Sequence, residues 1–470
     1  MLSHVFRMTL SVVFFSVLAC LTTTLQAADS SRPNIVYILL DDAGYGDLSC
    51  YGQKLFKTPN IDQMAAEGLK FTDHYSGSTV CAPTRCCLMT GLHTGHTVVR
   101  GNREIQPEGQ APMPADIVTL PRLLQKAGYQ TGMFGKWGLG SPGSASDPAE
   151  HFNKFFGYNC QRQAHTYYPD YLWHDREKVQ FGGNVYSGYP IQEATLNFIK
   201  ANKDKPFFCY VPMTIPHAAL HVPEKYAAPF RKKFPQFETK VGKYKGPNIR
   251  NPAACFAGMM TFMDEQVGEI LALLKELKID DNTLVMLTSD NGPHLEGGHM
   301  PDFFDSNGPL RGHKRDLTDG GIRAPLIARW PGRIKAGTTT AHIAAHWDLL
   351  PTACELAKAS TPDDIDGISY VPTLLGKTSD QKTHEYLYWE FPSRGGKQAI
   401  RMDKWKGVRE NLFKDPNAPL QLYNLSKDIG EKNNIADKHP EKVAQLEDLL
   451  KEAHVESYVF PLFSPRSGKK

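Results

Sequence analysis

The stretch Cys81-Ala82-Pro83-Thr84-Arg85 puts a thiol at the mouth of a loop and a guanidinium four residues on, where the chain turns into a helix that stops at Gly91. A cysteine at a helix N-terminus meets the positive end of the dipole, which favours an anion there. A lone cysteine is more often a buried core residue, so its meaning depends on what else the chain brings to this loop. Asp41-Asp42 run into the glycine-rich Ala43-Gly44-Tyr45-Gly46. Adjacent acids in such a place serve either as a turn and cap signal or as oxygen ligands for a hard cation. Lys136 sits in Gly135-Lys136-Trp137-Gly138, His217 follows Ile215-Pro216, and Asp290-Asn291 follow Ser289.

The elements that carry these groups are alike. Asn34 to Leu40, Tyr129 to Phe134, Pro206 to Met213 and Thr283 to Thr288 are short apolar runs, each ending just before one of the polar groups. Such runs predict central strands of a parallel sheet covered on both faces. The C-terminal ends of those strands lie along one edge, where ligands bind. Asp41, Asp42, Asp290 and Asn291 then supply oxygen ligands for Ca²⁺ or Mg²⁺. Arg85, Lys136 and Lys314 supply cations for a tetrahedral oxyanion, and the helix that follows Cys81 aims its first N–H groups at the same place. His217 is suited to general acid work. A metal-assisted hydrolase of an anionic ester follows from these residues.

The bulk properties are those of a globular protein large enough for one big α/β domain and a smaller unit: 470 residues, 41% hydrophobic and 22% charged. A net charge of +3 without a long Lys/Arg run gives no case for nucleic acid. At the start, Arg7 precedes the apolar run Met8 to Leu21 and the small residues Ala27-Ala28, the pattern of a secretory signal too short for a permanent span. Cleavage after Ala27 is expected, with Val17-Leu18-Ala19-Cys20 offering the alternative of a lipid anchor on Cys20. Either way the protein is expected to be secreted or periplasmic. The remaining cysteines show no CxxC spacing, which argues against a thiolate zinc site and against a compact disulfide framework.

Helices are predicted over 60–67, 119–127 and 254–278, the last with Met263, Val267, Ile270, Leu271 and Leu274 on one face. Residues 141–190 lack periodicity and hold His165, Tyr167, Tyr168, Tyr171, Trp173 and His174, so a long irregular insertion is expected, suited to sugar recognition or to half-buried packing. Residues 225–250, basic and Pro-interrupted, read as a surface excursion. Past about residue 375 come two hairpin strands, a third strand at 420–425 and a helix at 440–452, a small α+β unit. The expected organisation is a signal peptide at 1–27, a catalytic α/β domain at 28–375 and a C-terminal α+β subdomain at 376–470.

Taken together, Cys81-x-Pro83-x-Arg85 with Leu88-x-Thr90-Gly91, Asp41-Asp42, Gly135-Lys136-Trp137, Pro216-His217, Ser289-Asp290-Asn291-Gly292, Arg311-Gly312-x-Lys314, Gly320-Gly321-x-Arg323 and Asp366-Gly367-Ile368-Ser369 resemble, in order, the motifs of type I sulfatases of the alkaline phosphatase superfamily. The resemblance implies an alkaline-phosphatase-like fold and hydrolysis of sulfate esters, with sulfated carbohydrate as the expected substrate and galactose or N-acetylgalactosamine sulfate as the specific guess. It implies that a separate maturation enzyme converts Cys81 to formylglycine, and that Asp41, Asp42, Asp290 and Asn291 hold one Ca²⁺ together with residue 81. Lys136, Lys314 and Arg85 would steady the sulfate oxygens, and His217 would protonate the leaving oxygen. The alternatives are a phosphonate or phosphate ester hydrolase of the same superfamily and a sulfated-glycan binding protein without turnover. Two positions depart from the pattern: Thr84 replaces a serine, and Gly138 stands where the family commonly has a histidine assigned to sulfate release.

Overall fold

The computed structural model describes residues 32–464. The expected signal segment, with Ala27 and Cys20, lies outside the described residues. Ten strands form one sheet: β1 (Asn34–Asp41), β2 (Leu69–Phe71), β3 (Gln130–Lys136), β4 (Lys154–Tyr158), β5 (Tyr171–His174), β6 (Glu177–Gln180), β7 (Phe207–Pro216), β8 (Thr283–Ser289), β9 (Leu326–Arg329) and β10 (Thr338–Thr340). Their order is β10-β2-β9-β8-β1-β7-β3-β4-β5-β6. The five central strands β8, β1, β7, β3 and β4 are parallel, and antiparallel pairings join β8 to β9 to β2 on one side and β4 to β5 to β6 on the other. The mostly parallel α/β sheet expected from the apolar runs is therefore present.

Every residue of β1 is buried because both sheet faces are covered. Val36, Ile38 and Leu40 enter one apolar layer with Met263, Val267, Ile270 and Leu274 of the helix Pro252–Glu276. Ile35, Tyr37 and Leu39 enter the other, with Leu88 and Met89 of the helix Cys81–Thr90. Period-two alternation along a strand, with apolar residues at both phases, produces this two-layer core.

Two expectations fail. Residues 141–190 are not an irregular insertion, since 154–180 contribute β4, β5 and β6 and widen the sheet. Polar residues along these strands, as in Glu177–Gln180, hid the period. The helix Gly188–Ala201 begins within the same stretch. Residues 225–250 are not all excursion either. The helix Glu224–Lys233 lies against the helix Pro252–Glu276 despite Pro229 inside it. Gly258 permits the approach, because a Cβ there would stand 2.9 Å from the Tyr226 carbonyl oxygen.

The second sheet is an antiparallel meander of Leu387–Phe391, Lys397–Met402, Trp405–Glu410 and Gln421–Asn424. Leu446 and Leu450 of the helix Pro440–Glu452 pack onto Tyr388, Ile400 and Leu422. Polar contacts bind it to the large sheet's layer. Trp389 Nε1 donates to the Ser76 carbonyl at 2.9 Å, and Lys406 Nζ reaches Asp319 Oδ1 at 2.7 Å with both side chains fully buried. Asp319 also accepts from Tyr75 Oη at 2.8 Å and pairs with Arg323 at 3.3 Å. Removing one partner of a buried pair leaves the other charge stranded. Lys406→Met is therefore expected to lower unfolding stability by about 3 kcal/mol, the low end because Arg323 remains, as read by denaturant titration; a change under about 1 kcal/mol would show the network contributes little. No helix among the described residues is long and apolar enough to cross a membrane.

Candidate active site

The four adjacent strands β8, β1, β7 and β3 run the same way, so their C-terminal ends open on one edge. Asp41 closes β1, Lys136 closes β3, His217 follows β7, and Asp290-Asn291 follow β8. The helix Cys81–Thr90 starts at the same edge, with Cys81 as its first residue and Val80 extended before it. Gly91 ends it in the left-handed conformation (φ 74°), returning its N–H to the Cys87 carbonyl at 2.9 Å. Thr84 turns inward: its hydroxyl contacts the carbonyls of Ser78 (3.0 Å) and Asp290 (2.8 Å) and accepts from Ser78 N (2.9 Å). The hydroxyl is what the position uses, so threonine in place of serine keeps these bonds and adds only a methyl group.

All the residues expected from sequence meet here. Cys81 Sγ lies 3.3 Å from Asp41 Oδ1 and 3.7 Å from Lys314 Nζ. Lys136 Nζ pairs with Asp41 Oδ2 at 2.6 Å, Lys314 Nζ with Asp42 Oδ2 at 2.7 Å, and His217 Nε2 lies 3.4 Å from Asp42 Oδ2. Arg85 pairs with Asp290 Oδ2 at 3.0 Å and donates through Nη1 to the Lys136 carbonyl. It is completely buried, so it fixes a carboxylate and the lysine's backbone together. His217 donates from Nδ1 to the Ala218 carbonyl, which leaves Nε2 facing the carboxylates.

The electrostatics follow from this packing. Burial works to raise the Asp41 and Asp42 carboxyls, and the lysines (Lys136 for Asp41, Lys314 for Asp42) outweigh it and hold both below the usual range. Asp290 is pushed up to about 7 by burial and by the Asp41 charge. The Cys81 thiol is also pushed up, by burial first and Asp41 second. The encoded thiol is thus protonated, a poor nucleophile.

The donor set suits a divalent cation. Asn291 donates from Nδ2 to Asp42 Oδ1 at 2.7 Å, while its Oδ1 is buried with no hydrogen-bond partner. A bare amide oxygen beside three carboxylates is a set of donors that hard cations take. Asp41, Asp42, Cys81 and His217 present atoms within 4.8 Å of one another. With Asp290 ionised, the charges of Asp41, Asp42 and Asp290 cancel those of Arg85, Lys136 and Lys314, so a divalent cation leaves a positive site for an anionic ester.

Sequence reasoning missed three neighbours. Asn102 Oδ1 accepts from Ala82 N at 3.0 Å at the helix start. His165 stacks on His217 with ring centroids 4.6 Å apart and planes 5° from parallel. Tyr244, which is exposed, stands edge-on to both imidazoles, at 5.3 and 6.0 Å. The sequence signal for His165 was the aromatic cluster 165–174, which no spacing rule connects to Pro216-His217.

Comparison with known proteins bears on this geometry. The family model described as Sulfatase matches residues 33–359, and that described as N-sulphoglucosamine sulphohydrolase, C-terminal, matches 312–456. Human N-acetylgalactosamine-6-sulfatase is 34% identical over 385 residues, covering 75% of this chain and 68% of the relative. N-acetylgalactosamine-6-O-sulfatase of Bacteroides thetaiotaomicron is 31% identical over 494 residues, covering 90% and 93%. The crystal structure of Ps i-CgsB in complex with k-i-k-neocarrahexaose superposes with a TM-score of 0.76 at 26% identity, covering 93% of this chain and 96% of that one.

Proposed function

The chain belongs to the sulfatase family, and from that premise we propose that it removes sulfate from sulfated carbohydrates outside the cytoplasm, using a formylglycine at position 81 and one Ca²⁺. Hydrolysis of sulfuric esters is the activity of the family. The observation that carries it is the convergence of Cys81, three carboxylates, Asn291 and two lysines at one sheet edge. Support for a carbohydrate comes from relatives named for N-acetylgalactosamine sulfate and from the exposed Tyr244 beside the histidines, since an aromatic face suits a sugar ring.

Asp41, Asp42, Asp290 and Asn291 would hold the cation, which when bound polarises a sulfate oxygen and the residue 81 hydroxyl. Formylglycine 81, made by a maturation enzyme, would supply a geminal diol, one hydroxyl to attack sulfur and one to let the sulfate go. Lys136 and Lys314 each lie within reach of a carboxylate near Cys81 and bind the sulfate oxygens as the ester enters. Arg85 keeps Asp290 and the Lys136 backbone from shifting. His217, anchored by its Nδ1–H on the Ala218 carbonyl, turns Nε2 toward the carboxylates, and as an imidazolium would give its Nε2 proton to the leaving sugar oxygen. The near-complete burial of all these groups keeps bulk water from screening their charges.

Purified, matured protein should be assayed on 4-nitrophenyl sulfate, on N-acetylgalactosamine 6-sulfate and on an aryl phosphonate of matched leaving group. Turnover of the sulfates with little on the phosphonate is expected. A preference for the phosphonate would move the enzyme to the other ester class, and binding of the sulfated sugar without turnover would make it a glycan-binding protein.

A further inference from the structure

We propose that His165 is the second proton-carrying residue of the hydrolytic site, taking a proton from the attacking side while His217 gives one to the leaving oxygen. The inference rests on the sulfate-ester reading above. Net hydrolysis of R–O–SO₃⁻ by water breaks the bond from sulfur to the R–O oxygen and forms one from sulfur to the incoming oxygen. The products are R–OH and hydrogen sulfate, with no change of oxidation state. One oxygen gives up a proton and another receives one, so an acid and a base are both needed.

Of the histidines near the site, His294 has both ring nitrogens occupied. Its Nδ1 accepts from Glu296 N at 3.1 Å, and its Nε2 lies 3.1 Å from the Pro216 carbonyl. His313 directs Nε2 to Asp302, 3.8 Å away and fully exposed. His165 differs from both: its Nδ1 is buried without a hydrogen-bond partner. Its ring lies flat on that of His217. Two imidazolium rings at that separation repel, so no more than one of the two is an imidazolium at a time, which suits one ring as acid and the other as base.

The chain holds His165 firmly in that position. Tyr167, two residues on, sets its hydroxyl between the carbonyls of Thr214 and His217, the latter at 2.8 Å. Ala219 N donates to the His165 carbonyl at 3.4 Å. The same loop explains Gly138. Gln161 fills the space where a side chain at 138 would go, its Cγ and Nε2 each 2.9 Å from the site of a Cβ, and Gly138 itself has φ +79°. A histidine at 138 would be strained by that φ and would have to push Gln161 aside, and the loop that carries Gln161 also carries His165. The charged and titratable groups that face His165 are Lys136, Lys314, Lys245 and Asp41, with His217 and Tyr244 against its ring. Burial first and the three lysines next push its pKa down to about 3, so the ring rests neutral.

The test uses the matured, metal-loaded full chain with His165→Gln and with His165→Phe, which keeps an aromatic ring in the stack and carries no proton. Both should lower kcat at least about 100-fold on 4-nitrophenyl sulfate and on N-acetylgalactosamine 6-sulfate alike, as loss of a base does, with KM within about threefold. The acid limb of the pH–kcat profile should disappear. Inorganic sulfate binding to the unmatured Cys81 protein, measured by calorimetry with each substitution, should stay within about threefold, and Tm should hold. A kcat within about threefold of the parent in either variant overturns the proposal. A fall in sulfate affinity that matches the loss of kcat makes His165 a binding residue instead, and loss of fold in both variants makes it structural. If the parent turns over neither sulfate, the functional reading fails; if it does and the variants equal it, this inference alone fails.

Discussion

Cys81→Ala is expected to lower kcat by on the order of a million-fold, the scale seen when a covalent nucleophile is removed, while the fold survives. The thiol is almost entirely buried, yet it sits at the first turn of a helix whose stability comes from Leu88 and Met89 in the core and from the Gly91 stop. Alanine is the best helix former, and losing one sulfur should cost under about 2 kcal/mol. Thermal melts of parent and variant should therefore nearly coincide. The encoded thiol is held protonated by burial and by Asp41, which makes it a poor nucleophile as encoded. Mass spectrometry of the peptide containing residue 81 checks this directly: an aldehyde in place of the thiol, with H₂S lost and O gained, is expected in active enzyme. Turnover by the alanine variant at even a hundredth of the parent rate would refute a role for residue 81 in bond making.

Chelation should be nearly as damaging. A metal at Asp41, Asp42, Asp290 and Asn291 would contribute several kcal/mol of charge stabilisation, which at about 1.4 kcal/mol per tenfold amounts to a loss of about a thousandfold or more on its removal. Calcium should restore the rate better than magnesium, because the donors are carboxylates and one amide on two separate chain segments, and Ca²⁺ accepts irregular oxygen sets. Stability offers a second readout. Calcium at a hundred times its Kd should stabilise the fold by about 2.7 kcal/mol, seen as a higher Tm, since it quenches the repulsion among Asp41, Asp42 and Asp290. Full activity after exhaustive chelation, or no response of Tm to calcium, would remove the ion from the site.

The strand-end groups were legible because a parallel strand buried on both faces is a continuous apolar run, and the first polar residue after it marks the ligand-binding edge of the sheet. Asn34 to Asp41 is such a case, and so is Thr283 to Asn291. The sheet's outer strands were not legible. Glu177–Gln180 is polar on both faces at an edge, so no alternation marks it. The antiparallel direction of Leu326–Arg329 follows from its pairing partner and not from its own residues.

Sequence alone singled out the groups that meet at the site: Asp41, Asp42, Cys81, Lys136, His217, Asp290 and Asn291 each stand at or just past the end of a local element, and local elements write themselves into local patterns, while Lys314 was marked by its Arg-Gly-x-Lys motif. Tertiary structure alone decided two matters. Arg85 turned out to have its donors on Asp290 and the Lys136 carbonyl, a partnership across 205 and 51 residues. His165 came to rest on His217, 52 positions away, in a loop that Tyr167 pins to the His217 carbonyl. Stacking between loops depends on what fills the space between them, and that volume is set by residues far apart in the chain.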